Sequence, residues 1–333
     1  MMKKEVGIFV LLLALCAVVS IMDPRFVSAA NLQNQARLIG MYGVFSIGMG
    51  VVIVTAGIDL SVGSIFALQG VLLSMMLREW HWPWPLAVAA VIGGTMALGT
   101  LHGALVTVAR LQPFIVTLCG LLFYRGAARF IASDEAKGFG AEGFGMLREL
   151  ATGSIAGVPM PFVALVAIAV LMWVVLHRSV YGRYLFAVGR NEDAARYSGI
   201  NSRLIIASAY VVAAALAGIS GILIAFYTNS ISPSGHGTFY ELYGIAAAVL
   251  GGCSLRGGEG SVIGIVIGTA LLQVLRNLVN LLGIPSSLEF AVMGAVILAG
   301  VMVDQVLMQR RQSRLATKGP REPAGAPKRP GEC

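Results

Sequence analysis

Residues 38–77 read LIGMYGVFSIGMGVVIVTAGIDLSVGSIFALQGVLLSMML, two apolar runs joined by Thr55-Ala56-Gly57-Ile58-Asp59-Leu60-Ser61-Val62-Gly63-Ser64. A helix that crosses a bilayer needs roughly 20 apolar residues, and each run comes close to that. The joint puts an acid, a serine and glycines between runs of bilayer length, which requires a broken or turning backbone. Irregular backbone near a membrane survives only where protein or water satisfies its polar groups. Asp59 and Ser61 therefore have two readings. An acid beside such spans is a functional candidate by default. Alternatively, both residues cap the next helix at a surface turn.

The rest of the chain repeats the apolar signal. Of its 333 residues, 57% are hydrophobic and 12% charged, against about 25% charged in an ordinary soluble domain. Mean hydropathy is +0.82. A soluble globule could not bury that much apolar surface, and disorder needs the opposite composition. No Gly-X-Y period or short repeat points to a collagen or a solenoid. Ten apolar segments fall at 6–22, 38–56, 60–77, 85–109, 111–131, 161–176, 204–227, 242–253, 261–282 and 288–307. The fold class is an all-α polytopic membrane protein with about ten transmembrane helices. The first segment has the outline of a signal peptide, with Lys3 and Lys4 before it and Ser28-Ala29-Ala30 after it. Asp23-Pro24-Arg25 puts charge and a proline where a cleavage region is neutral, so the segment reads as an uncleaved span.

Charge sets the expected orientation. The net charge of +8 could suggest a nucleic-acid partner, but much of it lies in loops and a tail beside apolar spans, and none is expected. With the amino terminus inside, the cytoplasmic pieces hold 16 of the 24 Lys and Arg, while the 132–160 loop falls outside. The positive-inside rule then puts both termini in the cytoplasm. Residues 1–311 form one transmembrane domain. The Pro-, Gly- and Lys/Arg-rich tail 312–333 reads as disordered, either solvated or in contact with anionic lipid. Cys16, Cys119, Cys253 and Cys333 form no CxxC pair and read as free thiols.

Signatures of chemistry are scarce. His81, His102, His177 and His236 are widely separated, and neither HExxH nor GxSxG occurs. No catalytic residue, metal site or cofactor is implied. The dipeptide Gly-Lys is absent, so the chain has no GxxxxGK[ST] phosphate loop and any ATP motor must be another subunit.

The loop at 178–203 is more informative. Asn191 is a good N-cap, Glu192 and Asp193 suit a helix N-terminus, Ala194 and Ala195 favour helix, and Gly199 follows Ser198 as a C′ glycine. This spacing predicts one short amphipathic helix, either a partner contact or an ordinary connector. A second Gly-rich stretch, Gly251-Gly252-Cys253-Ser254-Leu255-Arg256-Gly257-Gly258-Glu259-Gly260-Ser261, echoes the one at 55–64 and suggests an internal repeat. In the fifth span, Arg125 and Arg129 share a helix face, as snorkelling anchors or as the lining of an external vestibule. His102, Arg276, Asn277 and Asn280 are polar groups at membrane depth. They serve either interhelical hydrogen bonding or snorkelling, or the substrate path.

Together these stretches resemble the membrane subunit of ribose-type monosaccharide ABC importers. The resemblance rests on Gly57-Ile58-Asp59-Leu60-Ser61-Val62-Gly63-Ser64, on Pro113-Phe114-Ile115-Val116-Thr117-Leu118 with Tyr124-Arg125-Gly126, and on Val188-Gly189-Arg190-Asn191-Glu192 with Ala194-Ala195 and Ser198-Gly199-Ile200. Gly251-Gly252 with Gly257-Gly258 completes it. It implies a type II ABC importer permease in the bacterial inner membrane, paired with a second permease copy or paralogue around a central path. Cytoplasmic ATP-binding subunits and a periplasmic sugar-binding protein are the implied partners. The substrate path is then expected at Asp59, Ser61, Phe114, Thr117 and Asn277. Coupling to the ATPase is expected at Gly189, Asn191, Glu192, Ala194, Ala195, Ser198 and Gly199. The rival is a stand-alone proton-coupled sugar transporter, which would favour embedded acids. Only Asp59, Glu241 and Glu289 come near, each close to a span end.

Overall fold

The structure is a computed structural model that describes residues 2–140, 143–285 and positions 288, 291, 294, 295, 298 and 302. In chain order its helices are α1 (Met2–Met22), α2 (Ala29–Val54), α3 (Val62–Arg78), α4 (Trp84–Thr107), α5 (Pro113–Ile131) and α6 (Gly145–Thr152). There follow α7 (Met160–His177), α8 (Val180–Arg190), α9 (Glu192–Tyr197), α10 (Ser202–Thr228), α11 (Tyr240–Leu250) and α12 (Val262–Leu281). Seven of these are long and apolar enough to cross a membrane, and α3 and α11 are shorter apolar helices. Most of the expected span at 288–307, all but those six positions, and the whole tail at 312–333 lie outside the described residues.

Helices α2 and α10 form the centre. They pack on each other, α10 also lies along α4, and α2 also touches α7, α11 and α12. The hydrophobic effect gives no drive toward helix association within a membrane, so van der Waals packing at close backbone approach between small residues matters. A Cβ on Gly48 of α2 would sit 3.0 Å from the Ala213 Cα of α10. By contrast, α1 leaves Val6, Phe9, Val10, Leu11 and Leu13 exposed, and α4, α5 and α7 each present an apolar outer face.

Helix starts follow local capping. Ser28, Ser179, Asn191, Asn201 and Ser261 each accept a backbone N–H from the first turn of α2, α8, α9, α10 and α12. Two expectations need correction. The second helix begins at Ala29, not near 38, because hydropathy marks bilayer depth while the Ser28 cap marks the helix start. The 178–203 loop holds two helices, not one. Gly182 and Gly189 weaken the helical signal of α8, yet its Leu185 and Val188 are buried against the core shared by α2, α7 and α10.

The ends of the bundle differ. One end gathers the C-terminus of α2, helices α8 and α9, the start of α10 and the 251–261 loop. Gly258 donates to the Val54 carbonyl there at 2.9 Å. Arg178, Arg183, Arg190, Arg196, Arg203 and Arg256 belong to this end. The opposite end carries the loop between α5 and α7. In that loop Lys137–Gly138 pairs antiparallel with Ser230–Ile231, and Ser154–Ile155 pairs with Val158–Pro159.

Candidate functional site

The site begins where α2 stops. Thr55 turns its hydroxyl onto the Val52 carbonyl at 2.8 Å, Gly57 donates to the same carbonyl, and Ala56 takes φ +62°. The chain then runs without helix to Val62. Asp59 is 2% exposed and accepts both the Ser61 N–H at 2.8 Å and the Ser61 hydroxyl at 2.6 Å. Ser61 occupies the N-cap position of α3, but its side chain makes no cap hydrogen bond. Asp59 thus orders the turn instead of capping the helix. The Ile58 carbonyl accepts the Thr117 hydroxyl of α5 at 3.3 Å.

A second irregular segment approaches from the other side. After α10 the chain returns through residues 229–239, and Gly237, at φ +71°, lies against Gly63. A Cβ on Gly63 would collide with the Gly237 carbonyl oxygen and with Glu241 Oε2, and one on Gly237 would collide with the Gly63 carbonyl oxygen. The starts of the two short helices, α3 and α11, therefore meet inside the bundle.

Arg125 closes this crossing. Its Nη1 donates to the carbonyls of Pro233 at 3.0 Å and His236 at 2.7 Å, and its Nη2 donates to Gly63 at 3.2 Å. Neither the snorkelling nor the vestibule reading of Arg125 describes this clamp. Arg129, one turn further, pairs with exposed Asp134 at 2.7 Å. The hydrogen bonds from Arg129 hold the Asp134 carboxyl below the usual carboxylate range.

Buried polar groups surround the clamp. His102 Nε2 meets the Tyr124 hydroxyl at 2.8 Å, and the His102 ring stands edge-on to Tyr210. His102, Tyr124, Tyr210 and Glu241 lie within electrostatic reach of Asp59. Among the described residues, His102 Nδ1 and His236 Nε2 are buried without a hydrogen-bond partner.

Comparison with known proteins places this architecture. The family described as "Branched-chain amino acid transport system / permease component" matches residues 31–301. The chain belongs to this permease family. It is 36% identical over 304 residues to the ribose import permease protein RbsC of Bacillus subtilis, covering 91% of this chain and 93% of that one. It is 37% identical over 294 residues to RbsC of Escherichia coli K12, covering 88% and 91%. Over 306 residues it is 32% identical to the D-allose transport system permease protein AlsC of the same organism, covering 90% and 91%. No solved structure matches the chain.

Against this permease fold the expected path residues divide. Asp59, Ser61 and Thr117 are buried together at the broken start of α3. Phe114, near the start of α5, is 51% exposed. Asn277 stands apart, exchanging hydrogen bonds with Asn31 at 2.9 and 3.0 Å. These bonds join α2 to α12.

The expected coupling residues divide too. Asn191 caps α9 through the Ala194 N–H at 2.9 Å, Glu192 accepts the Ser202 hydroxyl at 3.0 Å, and the Ser198 hydroxyl bonds the Ala194 carbonyl. Gly199 ends the helix at φ +84°. Ala194 is exposed, whereas Ala195 is buried against the permease's own core. Gly189 is buried as well.

Sequence reading missed an aromatic cluster. Tyr42 and Phe45 of α2, Phe66 of α3, and Tyr240 and Tyr243 of α11 pack together, with Phe45 and Tyr240 stacked at 6.2 Å. Arg276 donates to the Tyr42 hydroxyl at 3.0 Å and lies over the Tyr42 and Tyr243 rings. The spacing of Tyr240 and Tyr243 on one helix face was the available signal.

Proposed function

We propose that this chain is the membrane subunit of an ATP-driven importer for a pentose or hexose, working by alternating access in the bacterial inner membrane. The observation that carries the reading is end-to-end similarity to ribose and allose permeases, 36%, 37% and 32% identical. The stand-alone proton-coupled alternative has no comparable support. The permease does no bond chemistry and needs no cofactor. ATP is hydrolysed on a cytoplasmic partner, consistent with the absent Gly-Lys dipeptide. A periplasmic binding protein delivers the sugar, and a second permease copy or a paralogue completes the path within the lipid.

The geometry supports specific roles. Discontinuous helices that meet at a buried polar centre are how many transporters build a mid-membrane site. The α3–α11 crossing has this form, so the path runs beside Asp59, Ser61 and Thr117. The exposed side of α9, with Asn191 and Ala194, contacts the ATPase. The arginine-bearing end faces the cytoplasm with both termini, and residues 1–311 act as one domain.

The test is uptake of labelled ribose and allose by proteoliposomes holding this chain, its ATP-binding subunit and its sugar-binding protein. Saturable, ATP-dependent accumulation of a monosaccharide supports the reading. Transport of a branched-chain amino acid and no sugar would overturn it.

A further inference from the structure

The end of the bundle that carries α8 contains a three-way backbone junction with almost no side chain in it. Gly189 is the second-to-last residue of α8. A Cβ there would collide with the Val54 carbonyl oxygen at the end of α2, and would sit 2.7 Å from the Gly258 nitrogen. Gly258 donates to that same Val54 carbonyl at 2.9 Å. A Cβ on Gly258 would sit 2.9 Å from the Cα and Cβ of Arg190, and one on Gly257 would sit 2.6 Å from the Gly189 oxygen and 2.8 Å from the Ala56 Cβ. Gly257 and Gly258 take φ +79° and +72°, the left-handed region that glycine enters freely.

Three segments distant in sequence are therefore locked backbone to backbone. They are the end of α8, the point where α2 gives way to the Asp59 segment, and the 251–261 loop. Close-packed protein transmits displacement because it has little room to absorb it. Helix α9 begins two residues after α8 ends. Four residues beyond Thr55 lies Asp59.

We propose that Gly189, Gly257 and Gly258 are positioning residues for transport, joining α8, the end of α2 and the 254–259 loop into one rigid unit. A push on α9 is carried through this unit to the Asp59–Ser61 segment and the start of α3. The proposal rests on α9 being the ATPase contact. It adds that force passes through shared backbone contacts, not through the side chains of the 178–203 loop.

Two variants test it in the full transporter with both partner proteins. Gly189→Ala inserts one methyl into the junction at a helical position whose φ permits alanine. Sugar moved per ATP hydrolysed should fall by about tenfold, the scale on which overpacking a tight contact displaces a two-state equilibrium. Recovery of the ATPase subunit should hold, since Gly189 is buried. The second variant is Gly258→Ala, which brings a methyl to 2.9 Å from the Arg190 Cα from the loop side of the junction. It should lower sugar moved per ATP in the same way, with recovery of the ATPase subunit again intact. Unchanged sugar per ATP in Gly189→Ala or in Gly258→Ala would overturn the rigid unit. Should Gly189→Ala fail to insert, Gly258→Ala decides alone. If the unmodified transporter moves no sugar on ATP, the proposed function fails instead, so the two failures are distinguishable.

Discussion

Arg125 on α5 donates a 2.7 Å hydrogen bond to the carbonyl of His236, 111 residues away, and thereby ties the start of α3 to the segment leading into α11. A guanidinium can hold several carbonyls at once because its donors form a planar fork; an ammonium is a point donor.

Arg125→Met should destabilise the detergent-solubilised protein by about 2–4 kcal/mol, because bonds to a charged donor are lost and their carbonyls remain buried. Arg125→Lys should fall between the two. Thermal unfolding followed by tryptophan fluorescence measures this. A melting temperature unchanged in Arg125→Met would show that the clamp contributes nothing.

Thr117→Val removes the hydroxyl that reaches the Ile58 carbonyl while keeping the side chain's shape. The expected stability loss is about 1 kcal/mol. Uptake should fall by more than that loss explains, with membrane insertion intact, and Ser61→Ala should behave alike. Normal transport in both variants would make the 55–61 segment a packing element.

Asn31 and Asn277 bond each other, so a double-mutant cycle to alanine should reveal a coupling of about 0.6 kcal/mol, the average for polar pairs between membrane helices. Sugar selectivity should not change. A changed sugar preference in Asn277→Ala alone would return that residue to the path.

Ala194 and Ala195 separate docking from folding. Ala194→Trp adds bulk on the exposed side of α9 and should abolish recovery of the ATPase subunit while the permease melts normally. Ala195→Trp forces bulk into the permease's own core and should lower the melting temperature first. Asn191→Ala should cost about 1 kcal/mol of local helix stability and weaken coupling mildly. Retained ATPase binding in Ala194→Trp would move the dock to the 254–259 loop.

These experiments probe what sequence alone left hidden. The spans were legible because apolar runs of bilayer length announce themselves, and the α9 cap was legible because Asn191 acts on a neighbour three residues away. The turn at Asp59 was legible as irregular backbone for the same local reason. The partners of Arg125, the Asn31–Asn277 pair and the meeting of Gly63 with Gly237 were not. Each joins residues from distant helices, and nothing in a single sequence records which helices adjoin. Helix α8 escaped notice because two glycines hid a helix that packing stabilises. Those same glycines turned out to be contact points, and Gly189 touches Val54 and Gly258.

The most direct test of the account is sugar accumulation in sealed proteoliposomes. Vesicles holding the permease alone should accumulate nothing under a pH gradient, and adding the ATP-binding subunit, the sugar-binding protein and ATP should produce accumulation. Uptake driven by the pH gradient alone, without the ATP-binding subunit, would contradict it.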